Sequence, residues 1–151
     1  MTNKQIIGFT LGCFDMLHIG HINLLKNSKG LCDKLIVGVC SDEYIDSNKR
    51  NRYFDINDRI HILQSIKYCD VVVPEDTLDK LTLWEKYKFD YLFVGSDWYG
   101  TPQYKQWEKE LNNVNCKVIY YPYTKNISSS QIKNTLIKNE DVLSNSEKKS
   151  L

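Results

Sequence analysis

No apolar stretch in this chain approaches the ~20 residues that a membrane-spanning helix needs, so a helical span is excluded. Charge of one sign is missing as well. Twenty Lys and Arg stand against nineteen Asp and Glu, a formal net charge of +1. No global field therefore draws the chain to a nucleic acid or to an anionic membrane surface. The five cysteines, Cys13, Cys32, Cys40, Cys69 and Cys116, are odd in number and form no C-x-x-C pair. A disulfide framework and a zinc site both fit that spacing poorly, and reduced thiols in a cytoplasmic protein are the expectation. Met1 to Gln5 run straight into an apolar segment and leave no room for a signal peptide. Repeats and low-complexity tracts are absent. What remains is 151 residues, 42% hydrophobic and 26% charged, which suits one globular domain with a stable core.

Short β-rich runs alternate with helical patterns along that domain. Residues 5–11, Leu35–Cys40, Val71–Val73 (ended by Pro74), Tyr91–Val94 and Val118–Tyr121 read as strands. Helical spacing recurs at 20–31, 57–68, 77–88 and 102–112, with a last helix from 129. Alternation of this kind predicts an α/β fold, a parallel sheet with helices on both faces. Ligands of such sheets bind at the carboxyl ends of the strands. Each polar motif of the chain falls just after a predicted strand, on that side. The tail from 139 is polar and is expected to fray, leaving a domain of residues 1–138.

The densest chemistry lies between the first strand and the first helix, in Gly12-Cys13-Phe14-Asp15-Met16-Leu17-His18-Ile19-Gly20-His21. A helix start offers unpaired backbone N–H groups to phosphate, and two imidazoles beside it can add hydrogen bonds or charge. After the second strand come Lys49, Arg50 and Arg52, then Arg59 at the head of a helix. A charge run is usually a solvated face. Its place at a strand's carboxyl end favours phosphate binding instead. After the fourth strand, Gly95-Ser96-Asp97-Trp98 offers an acceptor and an aromatic face. After the fifth, Ser128, Ser129 and Ser130 open a helix, where hydroxyls and amides cap the helix and also make an anion site.

The G-C-F-D-M-L-H-I-G-H segment resembles the HxGH signature of the nucleotidyltransferase superfamily. It is similar in particular to the GTFDxxHxGH form of glycerol-3-phosphate cytidylyltransferases and their choline- and ethanolamine-phosphate relatives. The resemblance runs from about Ile6 to Lys133. It implies a Rossmann-like, doubly wound, five-stranded parallel sheet in the order 3-2-1-4-5, and transfer of CMP from CTP to a small alcohol or sugar phosphate with release of pyrophosphate. It further implies Mg²⁺ carried with the nucleotide, a homodimer, and no nucleic-acid partner.

Residue by residue, the resemblance assigns catalysis to His18, His21, Arg59 and a loop cation that is either Lys49 or Arg50. Nucleotide contacts fall on Cys13, Phe14, His18, His21, Asp97, Trp98, Tyr123, Ile127, Ser128, Ser129 and Ser130. Acceptor contacts fall on Asp15, Lys49 and Lys67, and Asp15 is among the aspartates able to help bind the metal, whose ligands stay unassigned. Cys13 stands where the family usually has threonine and reads as a small spacer. Tyr123 replaces the arginine of the family's R-T-E-G-I-S-T-T block, and Asn126 its glycine. Lys125 can restore the charge there but not the bidentate geometry. An adenylyltransferase of the same fold, or a nucleotide-binding module without catalysis, remain the alternatives.

Overall fold

The structure, a computed structural model, describes residues 4–48, 51–122, 132, 135 and 136. Five strands, β1 (Ile7–Gly12), β2 (Lys34–Cys40), β3 (Val71–Glu75), β4 (Tyr91–Gly95) and β5 (Lys117–Tyr121), form one sheet in the order β3-β2-β1-β4-β5. All four pairings are parallel. Helices α1 (Ile19–Lys29), α2 (Asp42–Ser47), α3 (Ile56–Gln64), α4 (Lys80–Tyr87) and α5 (Pro102–Asn112) fill the connections. This is the fold and strand order the sequence predicts. No helix among the described residues is long and apolar enough to cross a membrane.

Neighbouring residues on the central strands serve opposite faces. Ile36 and Leu92 pack with Phe9, Leu83 and Leu111 on one side, while Val37 and Phe93 pack with Leu25 and Leu63 on the other. That alternation is the strand's period of two, and both faces are covered because parallel crossovers place helices on each. Gly8 allows close packing at the centre. A Cβ there would lie 2.5 Å from the Phe93 ring and 2.8 Å from the Cys32 sulfur.

At the edge where the strands begin, three aspartates receive main-chain amides. Asp33 accepts from Ile6 N–H at 2.7 Å, Asp70 from Leu35 N–H at 2.7 Å, and Asp90 from Ile7 N–H at 2.9 Å. Lys29 pairs with Asp70 and Lys4 with Asp90. These contacts satisfy amides that open the strands and fix where the sheet starts.

Three details depart from expectation. Pro74 does not end β3, which runs to Glu75 with Pro74 paired to Val39. β3 is an edge strand, and there a missing N–H costs no ladder bond. Helix α2 carries no periodic signal, since only Ile45 among its six residues is buried and no apolar stripe marks it. Helix α3 stops at Gln64 rather than 68. The helix expected from 129 lies mostly outside the described residues, of which Ile132, Thr135 and Leu136 are helical.

Candidate active site

Chain direction places the site. Each strand's carboxyl end delivers the motif that follows it to one edge of the sheet, the edge opposite the three aspartates. β1, the central strand, delivers His18 and His21 there.

The turn from β1 into α1 is tight. Phe14 and Met16 adopt φ of 52° and 65°, left-handed values that are uncommon for side chains of this size. Gly12 makes room for the fold-back, because a Cβ on it would approach the Phe14 ring to 2.9 Å. The buried Phe14 ring then meets His21 edge-on, with centroids 5.5 Å apart.

The two histidines form a capping box. His18 is the N-cap of α1, and its Nδ1 accepts from Gly20 N–H at 3.0 Å. His21 reaches back, and its Nδ1 accepts from His18 N–H at 3.2 Å. Serine and glutamate more often fill these two places. Imidazoles do the same work but leave a second nitrogen over. With both Nδ1 atoms accepting, each neutral ring carries its proton on Nε2 and presents an N–H donor. The rings lie 4.0 Å apart, centroid to centroid. Burial, and next the neighbouring His18, push the His21 pKa down to about 4. Burial also lowers His18. At neutral pH the pair is therefore two uncharged donors side by side at a helix start, where the dipole already favours negative charge.

Asp15 and Arg59 build the wall beside them. The Asp15 carboxylate, 3% exposed, accepts from Tyr53 N–H at 2.9 Å and from Phe54 N–H at 3.0 Å. Arg59 is 0% exposed and donates four hydrogen bonds: Nε to Phe54 O, Nη1 to both Cys13 O and Cys40 O, and Nη2 to Asp42 Oδ1 at 2.6 Å. Assigned to catalysis by the resemblance, Arg59 is placed as a brace among protein acceptors. Arg52 is likewise held, donating to both carboxylate oxygens of Asp46. Asp42 and Asp46 are bracing partners that sequence reasoning does not single out. The signal that points to them is a pair of carboxylates four residues apart on α2, facing a run of cations.

The remaining expectations divide. Asp97 and Trp98 sit on a single 3₁₀ turn after β4, both exposed, Trp98 at 49% with its ring 5.6 Å from Tyr104. They share the histidines' edge. Lys67 does not. It lies between α3 and β3, because α3 has carried the chain back to the edge where strands begin, and its ammonium rests 5.3 Å over the ring of Tyr68. Lys49, Arg50, Tyr123, Ile127, Ser128, Ser129 and Ser130 lie outside the described residues. Lys80, which no sequence motif marks, opens α4 just after β3 and is 3% exposed. Its ammonium donates to Leu78 O at 2.8 Å and lies 4.6 Å over the Trp107 ring. Burial lowers its pKa to about 8.

Among the described residues, no group of three or more His, Cys, Asp or Glu gathers as a metal site.

A parallel α/β sheet with two neutral imidazole donors at the start of its first helix defines a phosphate-handling site of the nucleotidyl-transfer class. The chain belongs to the cytidylyltransferase-like family, which it matches over residues 9–139. It is 36% identical over 134 residues to a glycerol-3-phosphate cytidylyltransferase of Staphylococcus aureus, covering 88% of this chain and 95% of that one. Identity to the glycerol-3-phosphate cytidylyltransferase of Bacillus subtilis is 34% over 137 residues, covering 86% and 95%. Among solved structures it superposes on a lipopolysaccharide core biosynthesis protein of Thermoplasma volcanium with a TM-score of 0.68 and 27% identity, covering 82% of this chain and 100% of that one.

Proposed function

We propose that this protein is a cytidylyltransferase that moves CMP from CTP onto a small alcohol phosphate of the glycerol 3-phosphate kind. The observation that carries the reading is the imidazole capping box, set at the carboxyl edge of the sheet in a chain of this family.

The acceptor's phosphate oxygen attacks the α-phosphorus of CTP, the bond to the β-phosphate oxygen breaks, and pyrophosphate leaves. An anionic oxygen attacks, so no base is required, and catalysis reduces to placement and charge stabilisation. His18 and His21 donate Nε2–H to phosphoryl oxygens as charge shifts toward the leaving group. Their neutrality lets them bind without a proton being lost or gained. Arg59 and Asp15 act as positioning residues that hold the Cys13 and Tyr53–Phe54 backbones on either side of the motif. Trp98 and Asp97 supply a face and an acceptor for the nucleoside, Lys49 or Arg50 the loop cation, and Ser128 to Ser130 with Tyr123 and Ile127 the far phosphate grip. Asp15 would be the motif carboxylate to help hold Mg²⁺ brought in with CTP, an ion that would supply neutralisation of the triphosphate charge. A homodimer working in the cytoplasm completes this reading.

Pyrophosphate release tests it, measured with CTP or ATP against glycerol, choline, ethanolamine and sugar phosphates. CTP with glycerol 3-phosphate is expected to turn over fastest. Turnover confined to ATP would make the protein an adenylyltransferase. CTP binding without release from any acceptor would make it a binding module.

A further inference from the structure

Cys40 ends β2, and Cys13 directly follows the end of the neighbouring β1. The β1–β2 register pairs Gly12 with Val39, so the next residue along each chain segment is a cysteine. Arg59 Nη1 donates to both cysteine carbonyls at 2.8 Å, pinning the two backbones side by side. Side chains at matched positions of adjacent parallel strands leave the same face, so the two thiols are neighbours. Cys40 is buried, whereas Cys13 is half exposed inside the phosphate motif. A spacer role for Cys13 does not account for a partnered thiol.

We propose that Cys13 and Cys40 are a redox-sensitive dithiol that a hydroperoxide closes to a disulfide, switching the nucleotide site off. The last clause rests on the function proposed above; the linkage does not.

The neighbouring Cys13 thiol, and then burial, push the Cys40 thiol far above its usual range. The proton therefore stays on Cys40, and Cys13, the more accessible sulfur, meets the oxidant. Cys13 Sγ attacks one peroxide oxygen, the O–O bond breaks, and Cys13 becomes a sulfenic acid as water or an alcohol departs with the thiol proton. Cys40 Sγ then attacks Cys13 Sγ. The S–O bond breaks, and the hydroxide leaves as water with the Cys40 proton. Two electrons pass from the thiol pair to the peroxide.

A disulfide needs its sulfurs about 2 Å apart, closer than a thiol–thiol hydrogen bond. Cys13 must shift to reach that length, and Phe14 and Asp15 move with it. Phe14 touches His21, and Asp15 holds the 53–54 backbone. Misplacement of reacting groups by about 1 Å costs on the order of a hundredfold in rate.

The intact protein is treated with hydrogen peroxide, blocked with N-ethylmaleimide, digested and mapped by mass spectrometry. A Cys13–Cys40 linked peptide is expected, disappearing with dithiothreitol. Pyrophosphate release from CTP should fall on the order of a hundredfold with linkage and return on reduction. Cys40→Ser should keep its basal release and lose the recoverable inhibition. Absence of the linked peptide from wild type overturns the proposal, as does unchanged release in fully linked protein. Recoverable inhibition of Cys40→Ser equal to wild type overturns it too. The peptide map needs no turnover, so it decides the linkage even where cytidylyl transfer fails.

Discussion

The two edges of the sheet use charge in opposite ways. Where the strands begin, Asp33, Asp70 and Asp90 each accept a strand-opening amide, and Lys4 and Lys29 pair with two of them. Such contacts fix register and leave nothing aimed at a ligand. Where the strands end, acids and bases are layered. Asp42 and Arg59 fasten the loops, and each imidazole spends one nitrogen on the start of α1 and keeps the other to donate. A sheet edge becomes a site when part of its polar valence is held back from the fold. The difference between the edges is therefore one of reserve, since both are rich in charge.

The heaviest test of that layering is Asp42→Ala. It strands a fully buried guanidinium and should cost about 3–5 kcal/mol, read by denaturant unfolding. Full stability in that variant would mean the brace is ornamental. His18→Ala or His21→Ala should leave the sheet intact and lower kcat about 10²–10³-fold. Wild-type turnover in a folded His21→Ala protein would refute the role given to the ring.

Acid separates the edges next. His21 takes a proton near pH 4 when folded and near 6.5 when unfolded, so the unfolded chain binds it first on acidification. The stability from the neutral ring is complete above about pH 6.5 and drains away as pH falls to about 4, a loss of order 3 kcal/mol. Denaturant midpoints across that range should fall in wild type. They should fall less in His21→Gln, whose amide oxygen keeps the capping bond without titrating. At the opposite edge Asp90→Asn should cost only about 1 kcal/mol and leave kcat unchanged. A kcat effect there would erase the distinction between the edges.

The sheet and the histidine pair are legible in the sequence because both are local patterns. Apolar runs at strand length, separated by helical spacing, admit few topologies, and the spacing of His18 and His21 puts both rings on one helix start. Arg59 is legible only in part. A guanidinium at a strand's carboxyl end reads as a phosphate ligand, and only the fold reveals Asp42 and three carbonyls waiting for it. Lys67 stands apart from the histidines for a topological reason, since a helix between a motif and its neighbour reverses which edge the chain occupies. Lys80 escapes notice because a lysine beside leucines looks like an interruption, until Trp107 and Tyr104 close around it.

The imidazole box has a consequence for transition metals. A soft divalent ion that takes the outward Nε2 of an imidazole drives its proton to the other nitrogen. Here that other nitrogen already faces a main-chain N–H on each ring. Zinc or copper could seize the pair only by unwinding the first turn of α1. The geometry that readies two donors for phosphate thus also shields them from scavenging ions.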